Sequence, residues 1–437
     1  MIEYSQWHKY IKIATVVVFV AIATVQAQGV SAEENGILPT LDKNVGVDDY
    51  LRYAALNNAG LEADFNRWKA ALERVPQAKS LPDPRFNYTY YIEEVETRVG
   101  PQQQKFGLAQ KFPWFGKRKL RADAATQAAN AVKAVYEKNK LSLFYSVEST
   151  YHEYWFLARS IEITKGHIKL VTNLEGVARI RFKTGSGSNS AVIQAQVELG
   201  RLDDRLRSLE MLQEPIVAKL NAALSRPALM PLPWPGSLPE NNLVFSDVQA
   251  LQWLADNSPE LHRLDYLSDK EEVGIKLAKR NYYPDITVGV DYVDTGDALD
   301  PGLDGSGKDP VMAMVSINVP LWFGKYRAAE REAGLRKSAV DEIREDRGNS
   351  LEAELKLSLY NFRDAARKID LYRDTLVPKA KQSLKVTQKE FEAGSTGFIA
   401  LIDAQRMLLE FQLSYRRAQA DRGTKFAEIK MITGGMN

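Results

Sequence analysis

Two short stretches of this 437-residue sequence have residue types and spacings that bind phosphate or zinc in other proteins. Gly302–Lys308 has the G-x-x-x-x-G-K spacing of a phosphate-binding loop, but Asp309 stands where a Ser or Thr would ligate magnesium. His152-Glu153 begins like the helix of a zinc protease, but Phe156 replaces the second histidine. Because neither motif is complete, the sequence predicts no catalytic residue, no cofactor, no metal site and no enzyme activity.

The region around Gly302–Lys308 is instead typical of a loop between two strands, since it is rich in Gly, Pro and Asp. Five aspartates would keep this loop solvated: Asp294, Asp297, Asp300, Asp304 and Asp309. They lack the fixed spacing of a dedicated calcium loop. Calcium binding here stays an open alternative to simple solvation.

Composition excludes some classes of function. The chain carries 58 basic and 56 acidic residues, for a formal net charge of +2, so no strong positive field would attract nucleic acid. It contains no cysteine, so it can form no disulfide and carry no lipid on a cysteine. The fold must therefore be stabilised by packing alone.

The first 32 residues have the pattern of a secretory signal peptide. Lys9 and Lys12 precede an uncharged segment, Ile13–Val25, and small-residue cleavage patterns end at Ala27 and Ala32. The segment is shorter than the roughly 20 apolar residues of a membrane-spanning helix. We expect cleavage after residue 32 or 27, and a short N-terminal tail over 33–46.

The rest of the sequence is duplicated. Trp114–Lys117 (WFGK) recurs as Trp322–Lys325, and Phe182–Ser186 (FKTGS) resembles Phe391–Ser395 (FEAGS). Each copy predicts a short helix, two strands, the WFGK sequence, a very long helix, a Gly/Ser turn and a final helix. Such a period indicates a duplicated structural unit. We place the first repeat at 47–225, a Pro-rich linker at 226–244 and the second repeat at 245–434.

The long helices are predicted over Lys117–Arg181 and Lys325–Glu390. In the first, apolar residues recur every three or four positions, as in a coiled coil: Phe144, Val147, Tyr151, Tyr154, Ala158 and Ile161. The second has a similar stripe: Leu351, Leu355, Leu359, Phe362, Ala366 and Ile369. We expect Pro378 to kink or interrupt this second helix, because proline removes a backbone hydrogen bond.

The other helices are shorter. They are predicted over 54–80 and 191–224 in the first repeat, and over 258–282 and 398–432 in the second. In each repeat the two lengths together come close to that of the long helix. The sequence therefore predicts two short helices stacked end to end along one long helix.

Alternating residues predict two strands in each repeat. One face is apolar: Phe86, Tyr88, Tyr90 and Ile92; Phe106, Leu108 and Phe112; Ile286, Val288, Val290 and Tyr292; Val311, Ala313, Val315, Ile317 and Val319. Such alternation is typical of a half-buried sheet or of a lipid-facing barrel wall. Because four strands cannot close a barrel and leave two open edges, we expect oligomerisation, and three chains would supply 12 strands.

These features together resemble the TolC family of outer-membrane efflux channels, and most closely its CusC/CzcC branch. The resemblance rests on the duplicated plan, on the junctions Gln110–Arg118 and Val319–Lys325, and on Phe391–Thr396 ahead of Leu401–Gln405. It extends from Val47 to Gly434. It implies a mainly α-helical homotrimer with a 12-stranded barrel in outer-membrane lipid of a Gram-negative bacterium. A periplasmic α-helical coiled-coil barrel would continue it.

The resemblance also implies a function and partners. The chain would be the exit duct of a tripartite efflux system of the RND type, and would work with a periplasmic adaptor protein and an inner-membrane transporter. The cargo would be small molecules or heavy-metal ions. One alternative is a duct for type I protein secretion. Another is a periplasmic adaptor, although an adaptor would need a lipoyl-like β domain and only one helical hairpin.

By the same resemblance, the Gly/Ser turns would form the hairpin tips that contact the adaptor: Gly185, Ser186, Gly394, Ser395 and Thr396. Asp403 matches an acidic position that narrows the tunnel entrance in the family. A second acidic position of the family is Ala400 here, and the first repeat has Gln194 at the place of Asp403. The alternative for Asp403 is a solvated charge on the outside of a helix.

Aromatic residues cluster where strand becomes helix: Phe112, Trp114, Phe115, Trp322 and Phe323. They are typical of a belt at a membrane interface. The alternative is a packing plug at the bends that begin at Pro113 and Pro320. Both roles are compatible with the sequence.

Overall fold

The computed structural model describes Leu41 and residues 46–239, 245–300 and 302–435. The predicted signal peptide (1–32), nearly all of the predicted tail (33–46) and the end of the predicted linker (240–244) lie outside the described residues. The positions of the repeat boundaries stay predictions, but the order of helices and strands is duplicated as expected.

Helices make up most of the described chain. They are α1 Val47–Asn57, α2 Ala59–Leu72, α3 Arg74–Lys79, α4 Lys117–Lys183, α5 Asn189–Met211, α6 Gln213–Ala223, α7 Asp247–Asn257, α8 Pro259–Arg280, α9 Phe323–Leu371, α10 Val377–Ala393 and α11 Phe398–Ile432. No helix among these is both long and apolar enough to cross a membrane.

The four strands form one antiparallel sheet. They are β1 Arg85–Val95, β2 Gln102–Phe112, β3 Ile286–Thr295 and β4 Val311–Ile317. They lie in the order β1-β2-β3-β4, so β2 and β3 join the two repeats, and β1 and β4 are the edges. The prediction that β4 reaches Val319 is wrong by two residues, because the chain turns at Pro320 into α9.

The apolar face of the sheet is exposed within the chain. Exposed side chains on this face include Phe86, Tyr88, Tyr90, Ile92, Leu108, Val290, Val311 and Val315. On the opposite face Lys105 forms a salt bridge with Asp291 at 2.8 Å. The sheet therefore has its apolar side outward, as in a barrel wall that faces lipid.

The short helices stack along the long helix in the first repeat, as predicted. The helices α1, α2, α3, α5 and α6 all pack on α4. The stacked ends are joined where the Asn58 side chain donates to the Ala223 carbonyl at 2.9 Å and the Ala59 N–H donates to Ser225 Oγ at 3.0 Å. These bonds satisfy polar groups at the end of one helix and the start of another.

The start predicted for the first helices is wrong. Helical structure begins at Val47 rather than at residue 54, and in the second repeat at Asp247 rather than at residue 258. Both helical stretches break at a polar residue in extended conformation, Asn58 and Ser258, and the side chain of Asn58 caps α2. The apolar periodicity of the sequence does not show these starts, because the spacing of apolar residues is interrupted where the helical stretch breaks.

The coiled-coil stripes pack as expected. Val147, Tyr151, Tyr154 and Ile161 are buried, while Phe144 and Ala158 are half-buried. In α9 all residues of the stripe are buried except Ala366, which is half-buried. In the two repeats, corresponding clusters join α1, α4 and α6 around Tyr151 and join α7, α9 and α11 around Leu359.

Pro378 interrupts the second long helix. A π-helical segment, Tyr372–Leu376, separates α9 from α10 and ends two residues before this proline. A π segment relieves the clash between the proline ring and the preceding turn by widening the helix. The predicted single helix is therefore divided by the π segment into α9 and α10.

Where α4 and α11 approach, a glycine faces a buried histidine. A Cβ at Gly423 would lie 2.6 Å from the His152 ring, and His152 is 1% exposed. A methyl group there would force the ring or a helix to move. By contrast, a Cβ at Gly166, in α4, would meet nothing within 4 Å.

We expect Gly423→Ala to lower the stability of the protomer by about 1–3 kcal/mol, because overpacking displaces a buried ring. Gly166→Ala is the matched control, and we expect it to raise stability by about 0.5–1 kcal/mol through helix propensity. Thermal unfolding in detergent, followed by circular dichroism, measures both. Equal midpoints for the two variants would contradict the contact.

Candidate functional site

The strand-to-helix junction of the first repeat is tied to the second repeat by a buried lysine. Lys117 is 3% exposed, and its Nζ lies 2.7 Å from Asp285 Oδ1 and 2.8 Å from the carbonyl oxygen of Tyr283. The Trp114 N–H also donates to Asp285 at 3.0 Å, and Lys111 Nζ lies 3.0 Å from its other oxygen. The WFGK sequence thereby anchors the end of β2 to the start of β3.

The charge state of Asp285 follows from these contacts. Burial raises the pKa of this carboxyl, but the hydrogen bonds from Lys117, from the Trp114 N–H and from Lys111 outweigh burial and hold the pKa at about 2. The carboxylate therefore stays ionised at neutral pH. Truncating either partner of a buried ion pair leaves an unpaired charge, so this pair fixes the junction.

The five aromatic residues at the junctions divide into two groups. Trp114 is half-buried and stacks on Tyr283, with ring centroids 5.5 Å apart and planes at 10°. The other four are exposed within the chain: Phe112, Phe115, Trp322 and Phe323. Trp114 thus packs at the bend, whereas the membrane-interface role of the other four stays a prediction.

The two hairpin tips have the same backbone geometry. Gly185 and Gly394 are left-handed, with φ of 73° and 82°. In each tip the N–H of the following serine bonds back to the helix, Ser186 to Arg181 and Ser395 to Glu390, both at 2.9 Å. This is the geometry in which glycine ends a helix without strain.

One residue that sequence reasoning missed bonds the two tips together. Arg181 Nη1 donates to the carbonyl oxygens of Phe391 and Glu392, the latter at 2.7 Å, and its Nη2 donates to Ser186 at 2.9 Å. Its guanidinium also lies over the Phe391 ring, 5.1 Å from the centroid. Comparison of the repeats shows only that they differ here, since Glu390 stands at the corresponding position, and it does not show the contacts of Arg181.

Asp403 lies in the first two turns of α11, with its side chain 62% exposed. It is not an isolated charge, because Arg406 Nη1 lies 3.8 Å from its carboxylate. Arg406 is held in turn by Glu198 of α5, a buried residue, through Nε at 3.0 Å and Nη2 at 2.5 Å. The predicted entrance carboxylate therefore has a fixed positive neighbour.

The two incomplete motifs are used structurally. In the loop between β3 and β4, Asp309 accepts from the Thr295 N–H at 2.8 Å and from the Tyr292 hydroxyl. Within the described residues no three His, Asp or Glu side chains form a group that could hold a metal. Burial, with a smaller effect of Lys430, lowers the pKa of His152 to about 4, so this histidine is neutral in the core.

An antiparallel sheet with an apolar outer face, continued by long paired helices that end in capped hairpin tips, defines the protomer of an outer-membrane channel. The chain belongs to the outer membrane efflux protein family, whose model matches residues 51–225 and 250–435. These two segments cover both repeats.

Related proteins agree with this assignment. The cobalt-zinc-cadmium resistance protein CzcC of Cupriavidus metallidurans is 22% identical over 376 residues, which is 84% of each chain. Among solved structures, the outer membrane protein VceC of Vibrio cholerae has a TM-score of 0.74 at 16% identity and covers 89% of this chain and 96% of its own. CusC has a TM-score of 0.74 at 15% identity, with 91% and 96% covered.

Family membership confirms the resemblance and the fold class drawn from the sequence. It also confirms the location in the outer membrane and identifies a channel rather than an enzyme. Of the alternatives, the periplasmic adaptor is excluded. The roles of Asp403, of the tips and of the exposed aromatics stay predictions.

If Asp403 lines the entrance, three copies of the channel place three carboxylates around one opening. Their repulsion strengthens where the effective dielectric falls, so the ring favours cations, and the neighbouring Arg406 limits the effect. We expect Asp403→Asn to reduce cation selectivity and block by trivalent ions modestly in planar bilayers. Asp370→Asn, which removes an exposed carboxylate of α9, is the control. Unchanged selectivity in Asp403→Asn would assign this charge to the helix exterior.

Proposed function

We propose that this chain is the exit duct of a tripartite efflux system. Three copies form one channel, an adaptor docks at the periplasmic hairpin tips, and an inner-membrane transporter supplies the energy. The observation that carries the proposal is the family match over both repeats. A duct needs no catalytic group. Asp309 of the first incomplete motif bonds within the loop between β3 and β4, and His152 of the second is buried in the core.

For the cargo we propose heavy-metal ions. The support is the similarity to CzcC, a cobalt-zinc-cadmium resistance protein, over 84% of both chains. A conduit does not have to bind its cargo tightly, so clustered metal ligands are not required along its wall. Small organic molecules and secreted proteins are the competing cargoes.

Deleting the chain in its own bacterium separates these cargoes. We expect greater sensitivity to cobalt, zinc and cadmium, with unchanged sensitivity to hydrophobic drugs and an unchanged set of secreted proteins. Complementation with the wild-type chain should restore resistance. Sensitivity to drugs alone would replace metal ions with small molecules as cargo, and loss of a secreted protein would favour type I secretion.

Adaptor docking at the hairpin tips is supported by the hydrogen bonds that hold the two tips together. Each tip has a left-handed glycine, and Arg181 bonds both tips to each other through backbone carbonyls. Gly394, with φ of 82°, would also bring a Cβ to 3.2 Å from Arg181 Nη2. A side chain here strains the turn and disturbs the bond between the tips.

We expect Gly394→Val to spare membrane insertion and trimer formation but to weaken assembly with the adaptor, so that efflux falls. Gly397→Val is the matched control, since Gly397 is extended and a Cβ there would meet nothing within 4 Å. Cross-linking to the adaptor and metal resistance are the measurements. Equal assembly in the two variants would argue against docking at this tip.

A further inference from the structure

Four residues at the edges of the sheet correspond to residues that form the junction between β2 and β3. Asp83 precedes the edge strand β1, and Lys325 follows the edge strand β4; both are exposed, and neither forms a salt bridge with another residue in the described part of the chain. Leu81 and Trp322 lie beside them and are 37% and 78% exposed. In the sequence these four are the counterparts of Asp285, Lys117, Tyr283 and Trp114.

The correspondence between the repeats can be checked against the sheet. Pro82-Asp83 and Pro284-Asp285 precede the first strand of each repeat, and Phe112-Pro113 and Val319-Pro320 lie at or just after the end of the second. When Asp83 is aligned with Asp285 and Pro113 with Pro320, Asn87 corresponds to Gly289 and Gly107 corresponds to Met314. The observed pair Asn87↔Gly107 in the first repeat therefore predicts the pair Gly289↔Met314 in the second. That pair is present between β3 and β4. The two repeats therefore have the same internal register.

The seam between β2 and β3 then serves as a template for a seam between copies. In a closed trimeric barrel β4 of one copy lies beside β1 of the next copy, and we propose that these strands pair in the register of β2 and β3, so that Lys325 of the first copy forms a salt bridge with Asp83 of the second. The observed pair Ala109↔Gly289 becomes Ser316 opposite Asn87 of the next copy. This inference rests on the trimeric duct proposed above and names the contacts that close it.

The apolar faces support this register. Within the chain, outward residues of β2 and β3 lie opposite each other, as Leu108 does with Val290. The register carried over to the seam places Val315 opposite Tyr88 and Ile317 opposite Phe86, and all four are exposed apolar residues within one chain. A shift by one residue would set apolar side chains opposite polar ones, so the pattern excludes it. A shift by two residues keeps the faces matched, and the choice between these registers therefore rests on the pairing of β2 with β3.

The junction after β4 presents Lys325 as the junction after β2 presents Lys117. In both, the lysine N–H bonds back to the carbonyl of the tryptophan three residues earlier, Lys117 to Trp114 at 3.1 Å and Lys325 to Trp322 at 3.0 Å. The second repeat has one extra residue, Leu321, and α9 begins at Phe323, before Gly324. The two junctions therefore share this hydrogen bond, although Gly116 is left-handed and Gly324 is helical.

By this template Lys325 Nζ reaches the Asp83 carboxylate and the Leu81 carbonyl of the next copy. Trp322 covers the Leu81 side chain, as Trp114 covers Tyr283. The salt bridge and the contact between Trp322 and Leu81 remove exposed side chains from water. The strand pairing beside them satisfies backbone N–H and C=O groups that would otherwise face lipid unpaired. The proposed seam between copies thus combines a salt bridge, a contact between Trp322 and Leu81, and paired strands.

The absence of cysteine from the sequence allows a direct test of the register. We expect the double variant Ser316→Cys/Asn87→Cys to form covalent dimers and trimers in outer membranes treated with copper–phenanthroline. Directly opposed residues lie within disulfide reach, whereas diagonal neighbours are about 7–8 Å apart. Ser316→Cys/Thr89→Cys, on the same face and two residues away, is the matched control and should stay largely monomeric on non-reducing gels.

The ion pair is tested by charge reversal. We expect Asp83→Lys and Lys325→Asp each to lower the temperature at which the detergent-resistant trimer dissociates, and the double reversal to recover much of the loss. Arg327→Met removes an exposed positive charge two residues from Lys325, on another side of the helix, and should leave that temperature unchanged. Independent, additive losses in the double reversal would overturn the salt bridge.

The outcomes separate this inference from the proposed duct. Covalent linkage through Thr89 rather than Asn87, in a trimer that still confers metal resistance, would overturn the seam and leave the duct intact. A chain that is monomeric by mass in detergent and has no effect on resistance would refute the duct itself. Linkage through Asn87 together with charge-reversal rescue supports the seam.

Discussion

Every other feature of this protein depends on the two open edges of its four-stranded sheet. In hydrocarbon an unpaired backbone N–H or C=O has no water to bond, so a sheet with free edges cannot remain in a membrane. The edges β1 and β4 belong to different repeats, whereas β2 and β3 join the repeats within the chain. Closure therefore has to come from other copies, and the apolar outer face becomes a continuous belt only after closure.

The long helices, beyond the strand-to-helix junction, also need partners to bury their apolar side chains. A helix as long as α4 would rise about 100 Å at 1.5 Å per residue, and it buries its stripe only if partners accompany it along its length. Stacked short helices provide these partners, and Asn58 bonds their ends together. The Lys117–Asp285 pair then couples the helices to the strands, because Lys117 opens α4 and Asp285 precedes β3.

Periodicity explains how much of this could be predicted. Apolar steps of three and four located α4, and alternation located β1 to β3 closely, since both patterns follow directly from which face is buried. The starts of α1 and α7 were missed because each helical stretch breaks, at Asn58 or at Ser258, and its apolar period starts again there. Asp285 and Arg181 were missed for another reason: each acts on a residue far away in sequence, Lys117 or Phe391, and a single sequence contains no distance between them.

The two repeats differ at residues that belong to the candidate functional sites. If the repeats were identical, three copies would present six equivalent tips and six equivalent seams. Arg181 corresponds to Glu390, Asp403 to Gln194 and Tyr283 to Leu81, so the proposed tips, entrance and seams would alternate in chemistry around three copies. Arg181 of the first repeat donates a hydrogen bond to the Phe391 carbonyl of the second repeat. The corresponding residue of the second repeat is Glu390, which cannot donate the equivalent bond in the other direction. A partner that docks at these tips, as proposed, would therefore meet two chemically different tips in turn.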